Sequence, residues 1–157
     1  VGSEMCIRDR DRLSSWFLFR RRLDRLPLEQ AITEVNAFWW RAPISNQYYY
    51  CDTPSDWPDP WQLLVDNTYD NIARGLGMLY TISLTKHKPD VEFLCIRSRE
   101  VSCEEALVWI DQGKYVLNWD VEVRVNTTLQ LDTYTTVNRI KAEELINNGN
   151  SSNKTDR

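Results

Sequence analysis

A chain of 157 residues has room for one ordinary domain with a core of its own. With 42% hydrophobic and 27% charged residues, seven Trp, seven Tyr and four Phe, its composition excludes a disordered, collagen-like or disulfide-dense protein. The formal net charge is −4, and no run nears the ~20 apolar residues that span a bilayer, so no membrane partner is expected.

The opening string Val1-Gly2-Ser3-Glu4-Met5-Cys6-Ile7-Arg8-Asp9 coincides, residue for residue, with one reading frame of a transposon-end sequencing adapter. Residues 1–10 are therefore set aside as an adapter artefact of a metagenomic read, 11–146 are expected to form a single domain, and 147–157, without apolar residues, a disordered tail. Beyond the adapter, Trp16-Phe17-Leu18-Phe19 is a short apolar run with high β propensity and reads as a strand or a buried terminus. Pro27 then opens Leu28, Ile32, Val35 and Trp39 at helical spacing, with Glu29 favouring the helix dipole, and the pattern stops before Ala42-Pro43. Residues 48–58 are aromatic, proline-bearing and aperiodic, hence a loop. Asp59-Pro60 is a helix start, with Asp59 as N-cap and Pro60 at the first helical position, and a short helix to Val65 follows.

Thr68 is expected to cap the best-patterned helix, which places Ile72, Leu76, Leu79 and Tyr80 on one stripe. Gly75 and Gly77 inside it each cost about 1 kcal/mol relative to Ala, so close approach of a neighbouring backbone is expected. After a polar connection at 85–89, strands are expected over 91–97, 105–110 and 114–119, the last two joined by a turn at Gln112-Gly113, and the alternation of 121–125 suggests one more. A terminal helix is expected over 139–146. The fold class is thus α+β: N-terminal helices packed on an antiparallel meander sheet of about three to five strands, with a short C-terminal helix.

Charge is unevenly placed. Seven of the 19 basic residues but four of the 23 acids precede Leu26, leaving twelve basic against nineteen acidic residues from there on. That acidic body argues against a nucleic-acid partner, and the Arg20, Arg21, Arg22 and Arg25 cluster reads as a solvated end. Cys51, Cys95 and Cys103 remain once Cys6 is set aside. Without C-x-x-C spacing, and with His87 the single histidine, they make neither a zinc site nor a disulfide framework. The thiols read as reduced in a cytoplasm, and no metal or cofactor is expected. The three acceptor patterns at Asn126, Asn150 and Asn153 mark polar loops.

A nucleophilic catalyst needs a base that titrates near neutral pH, and His87, between Lys86 and Lys88, reads as an exposed loop residue. Asp52, Asp56, Asp59, Asp66 and Asp70 cluster near aromatic residues as sugar-handling acids do, but Asp59 and Asp70 are accounted for by capping and helix-dipole roles. No glycine loop suited to phosphate is present. Trp39, Trp61, Trp109 and Trp119 are assigned to packing. The candidate binding surface is Tyr48, Tyr49, Tyr50, Trp57, Asp59 and Trp61, aromatic residues beside acids in the irregular stretch and at the helix start that follows it.

Residues 67–79 (NTYDNIARGLGML), the strand over 91–96, Ala106-Leu107-Val108-Trp109-Ile110-Asp111 and Gly113-Lys114-Tyr115-Val116-Leu117-Asn118-Trp119-Asp120 together resemble the order of the transglutaminase-like core. In that family a cysteine opens the central helix, a histidine starts a following strand and an aspartate lies on the next. Here no cysteine stands near Tyr69-Asp70 and no histidine on the strand of Trp109, and Asp120 alone matches the last member. The resemblance therefore implies the fold without the activity.

Phe38-Trp39-Trp40-Arg41-Ala42-Pro43, Trp57-Pro58-Asp59-Pro60-Trp61-Gln62-Leu63-Leu64, Leu76-Gly77-Met78-Leu79-Tyr80-Thr81 and Tyr115-Val116-Leu117-Asn118 also resemble small uncharacterised proteins of marine tailed bacteriophages. That resemblance implies a phage protein, in the host cytoplasm or the virion. The expected function is non-enzymatic, through contacts with phage or host proteins as a minor virion, assembly or host-interaction factor, and the oligomeric state is open. The alternative is a degenerate or rearranged transglutaminase-like cysteine transferase or hydrolase using Cys103 or Cys95 with His87.

Overall fold

The structure, a computed structural model, describes residues 9–66, 68–125 and 132–147. Most of the adapter string, the Asn126 acceptor pattern and the tail from 148 lie outside the described residues.

Helix α1 (Asp9–Leu23) takes the place of the strand expected at 16–19. Trp16, Phe19 and Leu23, spaced by three and four, are buried, whereas Phe17 and Leu18 are 49% and 63% exposed. A four-residue apolar run is too short to display that period, which only the later Leu23 completes. Helix α2 (Leu28–Trp40) begins behind Pro27 and buries Ile32, Val35 and Trp39 as its spacing predicts. The Phe19 and Phe38 rings stack at 4.3 Å between these two helices.

An irregular strap over 43–59, with one 3-10 turn at Pro54–Asp56, leads to α3 (Pro60–Val65). Asp59 caps α3 as expected, its carboxylate accepting the Gln62 N–H at 2.8 Å. Helix α4 (Asn71–Ser83) is capped by Asp70 and not by Thr68, because the Asp70 carboxylate is the one that reaches the Ala73 N–H. Every residue from Ile72 to Ile82 is buried, so α4 is the central helix, packed by α2, α3 and the sheet.

Its two glycines face rings and not the backbone expected. A Cβ at Gly77 would stand 2.6 Å from the Trp39 indole, and one at Gly75 would stand 2.9 Å from the Phe93 ring. The Trp16 and Trp39 indoles both donate to Thr81 Oγ1 at 2.9 Å, and that hydroxyl donates to the Gly77 carbonyl.

Strands β1 (Val91–Ser98), β2 (Glu104–Ile110), β3 (Tyr115–Leu117), β4 (Arg124–Val125) and β5 (Tyr134–Lys141) form one antiparallel sheet in the order β4-β3-β2-β1-β5. The strand expected at 121–125 shrinks to Arg124–Val125. Residues 139–141, expected in the last helix, instead end β5, which pairs with the far side of β1; helix α5 follows over 142–147. The β2–β3 turn runs through Asp111, Gln112 and Gly113, all at positive φ. Gly113 is needed there, since a Cβ would meet the Trp109 ring at 2.8 Å.

One sheet face, with Val91, Phe93, Cys95, Ala106, Val108 and Leu117, packs on the helices. The other gathers Leu94, Ile96, Leu107 and Val116 under Trp109, Trp119 and Tyr134. Among the described residues, no helix is long and apolar enough to cross a membrane.

Candidate functional site

Two places concentrate chemistry: the strap over 43–59, and the start of α4 where it meets the sheet. Asp70 joins them. One carboxylate oxygen caps α4 through the Ala73 N–H at 2.8 Å, and the other accepts the Tyr48 and Tyr49 N–H groups at 2.9 and 2.7 Å. A carboxylate 1% exposed is thereby satisfied by three backbone donors, which fixes the strap to the central helix.

The strap carries most of the predicted surface. The Tyr48 and Tyr49 rings lie 4.6 Å apart, and the Tyr48 hydroxyl donates to the Thr68 carbonyl. Burial first, then the charges of Asp66 and Asp70, pushes the Tyr49 hydroxyl up to about 12. Tyr50 is exposed, and its carbonyl accepts the Trp57 indole N–H at 3.0 Å. Trp57 turns inward against the Phe93 ring at 5.2 Å. Asp59 is engaged in capping α3, and Trp61 meets Trp16 of α1 edge-on at 6.0 Å. Trp61, assigned to packing from its helical context, is 54% exposed, because α3 is short and turns this residue outward.

At the start of α4 the side chains form a closed polar network. Asn71, the first residue of the helix, donates from Nδ2 to Glu105 Oε2 at 2.6 Å and accepts at Oδ1 from Arg74. Arg74 Nε donates to Asn118 Oδ1 at 2.8 Å, and Asn118 Nδ2 donates to the carbonyls of Asn71 and Ala106. The Arg74 guanidinium lies 3.9 Å from the centre of the Trp40 ring. Burial lowers the Arg74 pKa from its ordinary value, and the charge of Glu105 opposes that. Behind this group Asn36 of α2 accepts the Asn118 N–H and donates to the carbonyls of Asp120 and Val121.

Asp120, matched from sequence to the last member of a catalytic trio, instead bonds Arg124 and the Val121 N–H, so Asn118 is the residue that faces α4. Sequence reasoning passed over Asn71, Arg74, Glu105 and Asn118. A signal was present in Arg74 within an otherwise apolar helix and Asn118 within a Tyr-Val-Leu-Asn-Trp run, since a polar group in such a setting needs a partner.

The other candidate chemistry is dispersed. His87, expected to be exposed, is half-buried, its Nε2 2.9 Å from the Leu23 carbonyl. Cys51 and Cys95 are buried, the neighbouring Cys51 and then burial raising the Cys95 thiol, while Cys103 is partly exposed near the β1–β2 turn. Among the described residues no thiol is hydrogen-bonded to the imidazole, and no three or more His, Cys, Asp or Glu residues are grouped to hold a metal. The Arg cluster is engaged locally, with Arg20 over the Trp16 ring and Arg22 paired with Glu34.

A capped central helix packed on this antiparallel sheet is an arrangement with counterparts among known folds. Among solved structures, LapG of Legionella pneumophila matches with a TM-score of 0.67 at 13% identity, over 85% of this chain and 75% of its own. Calcium-bound LapG of the same organism matches with a TM-score of 0.65 at 12% identity, over 91% of this chain and 78% of its own. No family model matches the sequence, and no curated protein matches it.

Proposed function

We propose that the chain is a degenerate transglutaminase-like domain, phage-encoded and non-enzymatic, that acts through contacts with phage or host proteins in the host cytoplasm or the virion. The observation that carries this reading is the residue set at the start of α4. Where the resemblance calls for a thiol, Asn71 stands with both ends of its amide engaged by Glu105 and Arg74. An amide is no nucleophile, and a carboxylate across from it cannot serve as an imidazole does near neutral pH. The phage assignment is supported by the sequence strings around Trp39, Trp57 and Leu76. Protein contact is supported by Tyr48 and Tyr50, which are exposed on a strap that the Asp70 carboxylate holds in one conformation.

Alkylation tests it. Burial first, then the charge of Glu105, raises the Cys103 thiol, so iodoacetamide should reach Cys103 no faster than an ordinary free thiol, and the buried Cys51 and Cys95 more slowly still. Acyl transfer to amines and peptide hydrolysis should both be absent. A single thiol alkylated much faster than free cysteine, with loss of either activity, would sink the reading in favour of a rearranged cysteine enzyme.

A further inference from the structure

Cys51 and Cys95 are far apart in sequence and face to face in the fold. In the β1–β2 register Cys95 lies opposite Ala106 and Arg97 opposite Glu104; in the β1–β5 register Cys95 lies opposite Asn138. Side chains two apart on a strand and those directly across from them share a face, so Cys95, Glu104 and Asn138 point to the same side. Two of them hold Cys51 by its backbone: Glu104 Oε1 accepts its N–H at 3.0 Å, and Asn138 Nδ2 donates to its carbonyl. Cys51 is thereby suspended over the strand face that carries Cys95, and both thiols are buried. Cys103 lies across from Ser98, one position beyond Arg97 and Glu104, and so projects from the opposite face.

We propose that Cys51 and Cys95 are an oxidation site, a dithiol that exchanges with a small external disulfide to staple the strap to β1. The strap has the means to open, being held on this side by side-chain hydrogen bonds instead of a backbone ladder, whereas Cys95 sits within a paired strand. The steps balance. The Cys51 thiolate attacks one sulfur of R–S–S–R, forming a mixed disulfide and expelling RS⁻. The Cys95 thiolate then attacks the Cys51 sulfur, forming the Cys51–Cys95 bond and expelling the second RS⁻. Two protein thiols are oxidised, the external disulfide is reduced to two thiols, and the protons lost by the cysteines go to the leaving thiolates. The product fastens the segment bearing Tyr48, Tyr49 and Tyr50 to the sheet, whatever that surface binds.

The test uses the full chain and a variant with Cys6→Ser and Cys103→Ser, each incubated with oxidised glutathione. The expected result is an intact mass lower by two hydrogens in the variant, a peptide containing Cys51 joined to one containing Cys95 in both proteins, and an unfolding midpoint moved to higher denaturant until dithiothreitol reverses it. A further Cys95→Ala change should trap glutathione on Cys51. Persistence of both thiols, glutathione on each cysteine without a joining bond, or disulfides only between chains would overturn the proposal.

Discussion

Thr81 shows how one hydroxyl organises the helical layer. It accepts two buried indole N–H groups, from Trp16 and Trp39, and returns its own proton to the Gly77 carbonyl. Thr81→Val keeps the shape and strands both donors, each at about 1–3 kcal/mol, so chemical denaturation should show a loss of about 2–6 kcal/mol. Thr81→Ser retains the hydroxyl and should lose about 1 kcal/mol, the worth of one buried methyl. Similar losses for the two would refute the two-indole account. The neighbouring Gly77 sets helix propensity against packing. Alanine in a helix interior gains about 1 kcal/mol over glycine. Here its Cβ would meet an indole at 2.6 Å that is fully buried and fixed by Thr81, and overpacking costs about 1–3 kcal/mol. Gly77→Ala should therefore destabilise the chain, by up to about 2 kcal/mol, and a gain in stability would mean that Trp39 is free to move.

The strap is the least regular element and has the most specific anchors. Asp70→Asn keeps an oxygen for the Ala73 cap but turns an amide donor toward the Tyr48 and Tyr49 N–H groups, so α4 should persist while hydrogen exchange over 48–51 accelerates. Unchanged exchange there would show that Asp70 does not hold the strap. Glu104 is the second anchor. Burial opposes ionisation, but hydrogen bonds from the Cys51 N–H, Arg97 and Gln47 outweigh it and hold the carboxyl below its ordinary value. A carboxyl lower in the folded than in the unfolded chain adds stability above its unfolded pKa, about 4.3, and that contribution is lost as pH falls through the folded pKa. The difference in stability between the native chain and Glu104→Gln should hence be constant near neutral pH and shrink below about pH 4; a difference independent of pH would refute the linkage. The elements legible in sequence were those with local signatures: α2 by its apolar period, α3 by Asp59-Pro60, and the β2–β3 hairpin by its turn. Strand β5 was not legible, because Tyr-Thr-Thr-Val-Asn-Arg-Ile-Lys has little apolar content and its partner β1 lies some forty residues earlier. The Asp70 cap was missed for Thr68 because both are good caps and only the strap decides between them.

At the scale of the whole molecule, the fold brings the start of α4, the start of β2 and the end of β3 together whatever residues stand there. Sequence order alone placed the region, since Asn71 opens α4, Glu105 lies at the start of β2 and Asn118 just follows β3. It did not say which of Asn118 and Asp120 turns inward. That depends on the left-handed φ of 68° at Asn118, a conformation that Asn tolerates better than most residues, and on Asn36 holding its backbone N–H. If the network occupies a former catalytic position, the scaffold should still activate a thiol placed in it. In Asn71→Cys a thiol at the first position of α4 would feel the helix N-terminus and Arg74, both of which favour the thiolate, against Glu105, which disfavours it. Adding Glu105→His removes the opposing carboxylate and supplies a base. The double variant should therefore be alkylated at residue 71 at least tenfold faster than at Cys103 near pH 7, as one to two units of thiol pKa depression would give, while Asn71→Cys alone should not. Equal rates at residue 71 in the two variants would mean that Glu105 does not govern the charge at this helix end, and that the network is a structural tie unrelated to the chemistry of the fold.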